Sequence, residues 1–197
     1  FFPYITTPVA IGFIFSYLFD WQSGYINKLL VAVGILDEPF FWLNSEIASK
    51  VIIVIMVVWR YLGYYMTIYL AAMTSMPMEV YEAAAVDGAS SFKIFTKITI
   101  PMLGNTTRFL IITSLIGGLQ MFEEPKLLFG GWAALGGGQT GGPGYTALTV
   151  VWKFYNDAFN LDSRLGYGSA IAYSLFIIIM IFTIIGFRIS RGKGDRD

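Results

Sequence analysis

Apolar residues fall into four long runs along this chain, at 1–19, 51–73, 102–122 and 165–187. Each is close to the roughly 20 residues that a helix needs to cross a bilayer. The first and last runs hold no charged residue. The second holds Arg60, and the third holds Arg108 near an end from which it can reach the headgroups. Pro3 and Pro8 predict a kinked or partly truncated first helix. Any one run could be the buried core helix of a soluble protein, but four leave too little polar surface for that. The segments between them are patterned as well. Ile26 to Gly34 is short and apolar, suited to lie at a membrane interface beside Trp21 and Trp42. Leu148, Val151, Trp152 and Tyr155 recur at helical spacing and predict a surface helix over 145–159. Gly130 to Gly144 is dense in glycine and is expected to be irregular.

Composition sharpens this picture. Of 197 residues, 56% are hydrophobic and 13% are charged, against about 25% charged in a soluble domain. Mean hydropathy is +0.64, so the excess apolar surface calls for lipid. The expected fold is therefore an all-α integral membrane protein, a polytopic helix bundle with four transmembrane helices. Net charge is zero, which offers no general attraction to nucleic acid. Cysteine and histidine are absent. That excludes a disulfide frame, thiol catalysis and thiolate metal sites, and it removes the commonest general base. The glycine run lacks the Gly-Lys-Ser/Thr ending of a phosphate-binding loop, and no Walker A sequence occurs elsewhere. The chain opens Phe1-Phe2-Pro3 inside an apolar run with no charged residue before it. This is expected of an N-terminally truncated piece, not of a signal peptide.

Lys and Arg set the orientation. Arg188, Arg191, Lys193 and Arg196 crowd the short C-terminal tail, which predicts a cytoplasmic C-terminus. Four spans then place the start of the chain and the loop 74–101, with Lys93 and Lys97, inside. Segments 20–50 and 123–164 fall outside. They also hold basic residues, namely Lys28, Lys50, Lys126, Lys153 and Arg164, so the bias rests mainly on the tail.

Loop 74–101 carries the most informative pattern. Pro77 suits the first turn of a helix, where its missing N–H has no partner to lose. Met78 to Val86 are good helix formers, and Gly88 can take positive φ to end that helix. Ser90 or Ser91 can cap a second helix, expected from Phe92 to about Thr99 before Pro101 redirects the chain. Within the loop stands Glu82-Ala83-Ala84, three residues, Gly88, nine residues, then Ile98-Thr99-Ile100-Pro101. Six positions at this spacing resemble the EAA motif of the permeases of binding-protein-dependent ABC importers. Ile100 stands where that family usually has Leu, a swap of similar volume. Tyr81 to Ala89, the pair Trp59 and Gly63, and Gly141-Gly142-Pro143 resemble the sugar-importer branch, close to the maltose-type and glycerol-phosphate-type permeases. The resemblance implies an outer-face turn at Gly-Gly-Pro. The preceding stretch, Gly131 to Thr140, is longer than usual for the family.

The resemblance also implies a role. The first loop helix would be the coupling helix that docks on a separate ATPase, with Glu82, Ala83, Ala84, Asp87, Gly88, Ile98 and Pro101 as the coupling residues. Val80, Tyr81 and Ala84 would need an apolar surface to bury against; the alternative is a loop helix packed on its own bundle. The implied partners are a second homologous permease, an ABC ATPase dimer, an extracytoplasmic solute-binding protein and the lipid bilayer. ATP and Mg²⁺ would be bound by the ATPase, so this chain is expected to be a transport subunit with no cofactor or catalytic site of its own. One domain is expected over 1–197.

Polar and small residues inside the spans mark a candidate substrate pathway. Arg60, Gly63, Tyr64 and Thr67 share one helical face, with Tyr65 beside it. Thr113, Gly117 and Gln120 share another, flanked by Ser114, Gly118 and Met121. Aromatic rings with hydroxyl and amide groups suit a sugar. Counting from Pro101, the resemblance to the maltose-type permease places sugar contacts at Ser114, Gly117, Gly118 and Met121. Two of these are glycine here, which implies either a wider pocket or a substrate held only transiently. The other reading of Ser114, Gly117 and Gly118 is close helix packing. Arg60 demands a partner, either in segments outside the chain or on another subunit. The function expected is import of a sugar or related polyol across the cytoplasmic membrane. The alternatives are a secondary transporter or another polytopic protein without an ATPase partner. A secondary carrier would often show an acidic residue within a span, and a membrane-embedded enzyme would need a catalytic cluster. The spans 51–73, 102–122 and 165–187 hold no acid.

Overall fold

A computed structural model of the chain describes residues 1–134, 140–160 and 164–194, and every regular element among them is helical. The first apolar run is broken at Pro8 into α1 (Phe2–Ile5) and α2 (Pro8–Leu18). The Thr7 hydroxyl caps α2 by accepting the Ala10 N–H. A turn follows in which the Asp20 carboxylate accepts bonds from the Gln22 N–H, the Ser23 N–H and the Ser23 hydroxyl. Burial works to raise that carboxyl, but the bonds from Ser23 and Gln22 together outweigh it and hold it below its usual range. The predicted interfacial segment is α3 (Tyr25–Ala32). The Asn27 side chain, 2% exposed, ties this helix to the following loop. Its amide donates to the Trp21 and Phe40 carbonyls, and its oxygen accepts from the Phe40 N–H and the Trp42 indole.

The second run forms α4 (Glu46–Thr74), 29 residues long and so about 44 Å at 1.5 Å per residue. The Ser45 hydroxyl and Glu46 favour its N-terminus. It is longer than the expected 51–73 at both ends. After α5 (Met78–Val86) the backbone is nearly continuous. It passes through α6 (Ser91–Ile94), a π-helical turn at Phe95–Thr99, α7 (Ile100–Met102) and α8 (Gly104–Leu119). The expectation that a short helix ends before Pro101 is therefore corrected. Proline has no N–H to donate and its ring clashes with the carbonyl four residues earlier. The π turn loosens the ladder just ahead of Pro101, so helical dihedrals continue past it.

The glycine-rich stretch also differs from expectation. Gly130 and Gly131 lie inside α9 (Glu123–Ala134), and only beyond it do Gly141, Gly142 and Gly144 take positive φ. Residues 135–139, half of the stretch Gly131 to Thr140, lie outside the described residues. Packing overrides glycine's poor helix propensity here, worth about 1 kcal/mol per residue. Helix α9 lies against α2 with Leu128 and Phe129 buried, and its approach is so close that a Cβ on Gly12 would be 2.5 Å from Leu127 Cβ. The core collects Ile11 and Phe15 of α2, Ile52 and Met56 of α4, Leu128 and Phe129 of α9, and Trp152. Trp152 belongs to α10 (Val150–Tyr155), which starts later than the predicted 145 because Thr149 caps it. A π-helical turn at Asn156–Asn160 follows, and α11 (Leu165–Gly194) closes the chain. Among the described residues two helices are long and apolar enough to cross a membrane, namely α4 and, within α11, Leu165–Arg188. The first and third runs give shorter helices, with α2 at 11 residues and α8 at 16.

Candidate functional site

The motif loop folds into a nine-residue helix with a defined stop. Pro77 is the N-cap of α5, not a first-turn residue. At the other end the Gly88 N–H donates to the Ala85 carbonyl and the Ala89 N–H to the Ala84 carbonyl, with Gly88 at φ +72°. This is the Schellman arrangement, which satisfies carbonyls that the helix end leaves open. Ser90, and not Ser91, caps the next turn through the Lys93 N–H. Tyr81 and Ala84 face the chain's own bundle. The Tyr81 hydroxyl lies 3.3 Å from the Thr99 hydroxyl, and Ala84 is 9% exposed. Glu82, Ala83 and Asp87 are exposed, Pro101 is exposed and Ile98 is half-buried. The outward surface of the loop is apolar at Met78, Val86 and Phe92, which are 70%, 88% and 77% exposed. The expectation that Tyr81 and Ala84 need a partner to bury them is thus corrected; Val80, 37% exposed, stays open, as do Met78, Val86 and Phe92, which periodicity alone did not single out.

A cavity of about 750 Å³ lies between α4 and α8. Tyr64, Tyr65, Ser114, Gly117, Gly118, Gln120 and Met121, picked from two spans 49 or more residues apart, all line it. The two spans meet where the Tyr65 and Ser114 hydroxyls stand 2.7 Å apart. Further along, the Tyr69 hydroxyl donates to Thr107 at 3.1 Å. A Cβ on Gly117 or Gly118 would touch nothing within 4 Å. Among the described residues these glycines leave open space, and no helix of this chain packs against them. By contrast Gly63 is a contact residue, since its Cβ would lie 2.4 Å from the Phe1 nitrogen. Tyr4 of α1 and Tyr61 also reach the wall. The Tyr4 ring stacks on Tyr64 with centroids 4.6 Å apart and planes at 24°. Tyr4 escaped the sequence reading because α1 is four residues long and shows no periodicity.

Arg60 lies behind this wall, 9% exposed. Its partner is within the chain: Glu124, in the first turn of α9, meets the guanidinium at 2.5 Å. The Tyr61 hydroxyl also donates to that carboxylate at 3.4 Å. The expectation of a partner in missing segments or another subunit is corrected. Helix α9 packs against α2 and α4, which brings Glu124 under α4. A signal was present in Glu123-Glu124-Pro125, acids and a proline at the opening of a helix. Among the described residues no group of three or more acidic side chains is placed to hold a metal ion.

The family described as the binding-protein-dependent transport system inner membrane component matches residues 1–192. The chain belongs to this family. The lactose transport system permease protein LacF of Rhizobium radiobacter is 35% identical over 98% of the chain and 62% of its own length. The arabinooligosaccharides transport system permease protein AraP of Bacillus subtilis is 32% identical over 98% of the chain and 59% of its own length. The chain thus spans about three-fifths of these relatives. A solved bacterial ABC transporter involved in the import of the acidic polysaccharide alginate has the same fold. Its TM-score is 0.79 at 19% identity, over 98% of this chain and 63% of that one. Family membership places the chain in the inner membrane, in keeping with the exposed apolar lengths of α4 and α11.

Proposed function

We propose that this chain is a permease subunit of an ATP-driven importer, moving a sugar or related polyol across the cytoplasmic membrane. The observation that carries the proposal is loop 74–101. Glu82, Ala83 and Ala84 lie in a short capped helix, and the loop's outward surface, Met78, Val86 and Phe92 with Glu82 beside them, is largely exposed among the described residues. A short helix stopped by a fixed turn can act as a lever between two proteins. Closure of a separate ATPase dimer, which binds ATP and Mg²⁺, would be converted through it into a switch between inward-facing and outward-facing states. The full assembly would hold a second, homologous permease and an extracytoplasmic binding protein. The four apolar runs would all cross the bilayer, with loop 74–101 and the C-terminus in the cytoplasm. The cavity's rings, hydroxyls and amide supply the groups that a sugar needs, and the names of the relatives point to saccharides.

The test is reconstitution of the complete importer with Gly88→Val. No side-chain clash opposes the valine, because nothing lies within 4 Å of a Cβ there. The cost is the positive φ alone, about 1 kcal/mol or more, and a β-branched residue resists it further. The variant should insert and fold, while transport and binding-protein-stimulated ATP hydrolysis fall about fivefold or more together. Glu82→Lys should give a milder defect in the same direction. Full transport with unchanged stimulation would refute the coupling role.

A further inference from the structure

We propose that Glu123 makes the cavity a filter against negatively charged sugars. This rests on the reading of the cavity as a sugar pathway and narrows its substrate class. The wall offers hydroxyls, one amide, rings and two charged side chains, and both of those are carboxylates, Glu123 and Glu124. The cation nearest to hand is already taken. Arg60 is buried behind the wall with its guanidinium on Glu124 at 2.5 Å. Lys126, three residues along α9, holds its amino group over the rings of Tyr155 and Phe122, at 3.5 and 4.7 Å from their centroids, and does not line the cavity. The N-terminus of α9 would by itself attract an anion, but it carries both carboxylates in its first turn. Glu123 is exposed, and among the described residues no cation stands within ion-pair distance of it. Two carboxylates against one engaged guanidinium leave the wall with a net negative charge. A uronate entering the cavity meets repulsion and finds no free cation among the described residues of this wall, whereas an uncharged sugar of the same shape pays no such cost. Family membership leaves this question open, because one relative is named for lactose and a solved structure of the same fold is described as importing an acidic polysaccharide.

The experiment uses the assembled permease pair and ATPase in lipid nanodiscs, without the binding protein, so that selection by that protein does not enter. Equilibrium binding is measured for lactose, maltose and cellobiose, then for the best binder against its 6′-carboxylate analogue. At low salt the neutral sugar should bind about tenfold more tightly than the carboxylate, and the ratio should shrink as salt screens the wall. Glu123→Gln should reduce the ratio to about threefold or less by strengthening carboxylate binding relative to neutral binding. The salt series on the unaltered protein tests the idea even if the variant fails to assemble. Equal binding of the pair, a ratio insensitive to both salt and Glu123→Gln, or a variant that weakens both sugars alike overturns the filter and leaves the sugar pathway standing. Binding of none of the sugars overturns the pathway itself, and the filter with it.

Discussion

Arg60 is stable inside the bundle because Glu124 reaches it, and the two residues are 64 positions apart in the chain. Leaving one member of such a buried pair alone strands a charge, at a cost of about 3–5 kcal/mol, whereas replacing both by apolar groups of similar size is often neutral. Glu124→Gln and Arg60→Met should therefore each lower the melting midpoint of the purified assembly. The double variant Arg60→Met with Glu124→Leu should recover most of the loss. Additive losses in the double variant would show that the two side chains act separately. The need for a partner was legible from the sequence, because a charge within an apolar span cannot stand alone. Which residue met that need was not, since spacing carries no information about contacts across 64 residues. Gly88 is the opposite case. Its positive φ follows from a local rule about helix ends, and the motif loop bends there as its residues dictate.

At the scale of elements, helix caps followed local rules, whereas Pro101 and the glycines of α9 did not. The caps Ser45, Ser90 and Thr149 accept the bonds their types favour. Pro101 and α9 broke expectation for one reason: the ladder bond or propensity lost locally is outweighed by packing or absorbed by a π turn. Gly12 and Gly117 separate these regimes. Gly12→Val would force α2 off α9, because Leu127 occupies the space. Overpacking of that kind costs about 1–3 kcal/mol. The expected result is a lower yield of folded protein and earlier melting in detergent. Gly117→Ala meets no atom within 4 Å and should melt like the unaltered protein. Similar stability of both variants would mean that α2 and α9 do not pack as described.

Over the whole molecule, α11 shows how far this chain is from closing its own surface. Tyr173 and Phe176 on it are 71% and 61% exposed, so its apolar length calls for lipid or another subunit. The proposed orientation is open to a direct test, since the absence of cysteine lets single introduced thiols report cleanly. In intact cells Ser91→Cys should be shielded from an impermeant thiol reagent, and Glu38→Cys should react. Labelling in the opposite pattern would invert the topology argued from the basic tail. By itself the sequence determined the membrane class, the motif loop with its glycine stop, and the small and polar residues of two spans. Each of these follows from local composition, spacing or helical period. Only the tertiary structure decided that Tyr64 and Tyr65 line one cavity with the small and polar residues of α8, that Tyr4 joins them, that α9 is a packed helix and that Glu124 neutralises Arg60. Those are contacts between distant segments, and they depend on how helices fit against one another, which no local pattern encodes.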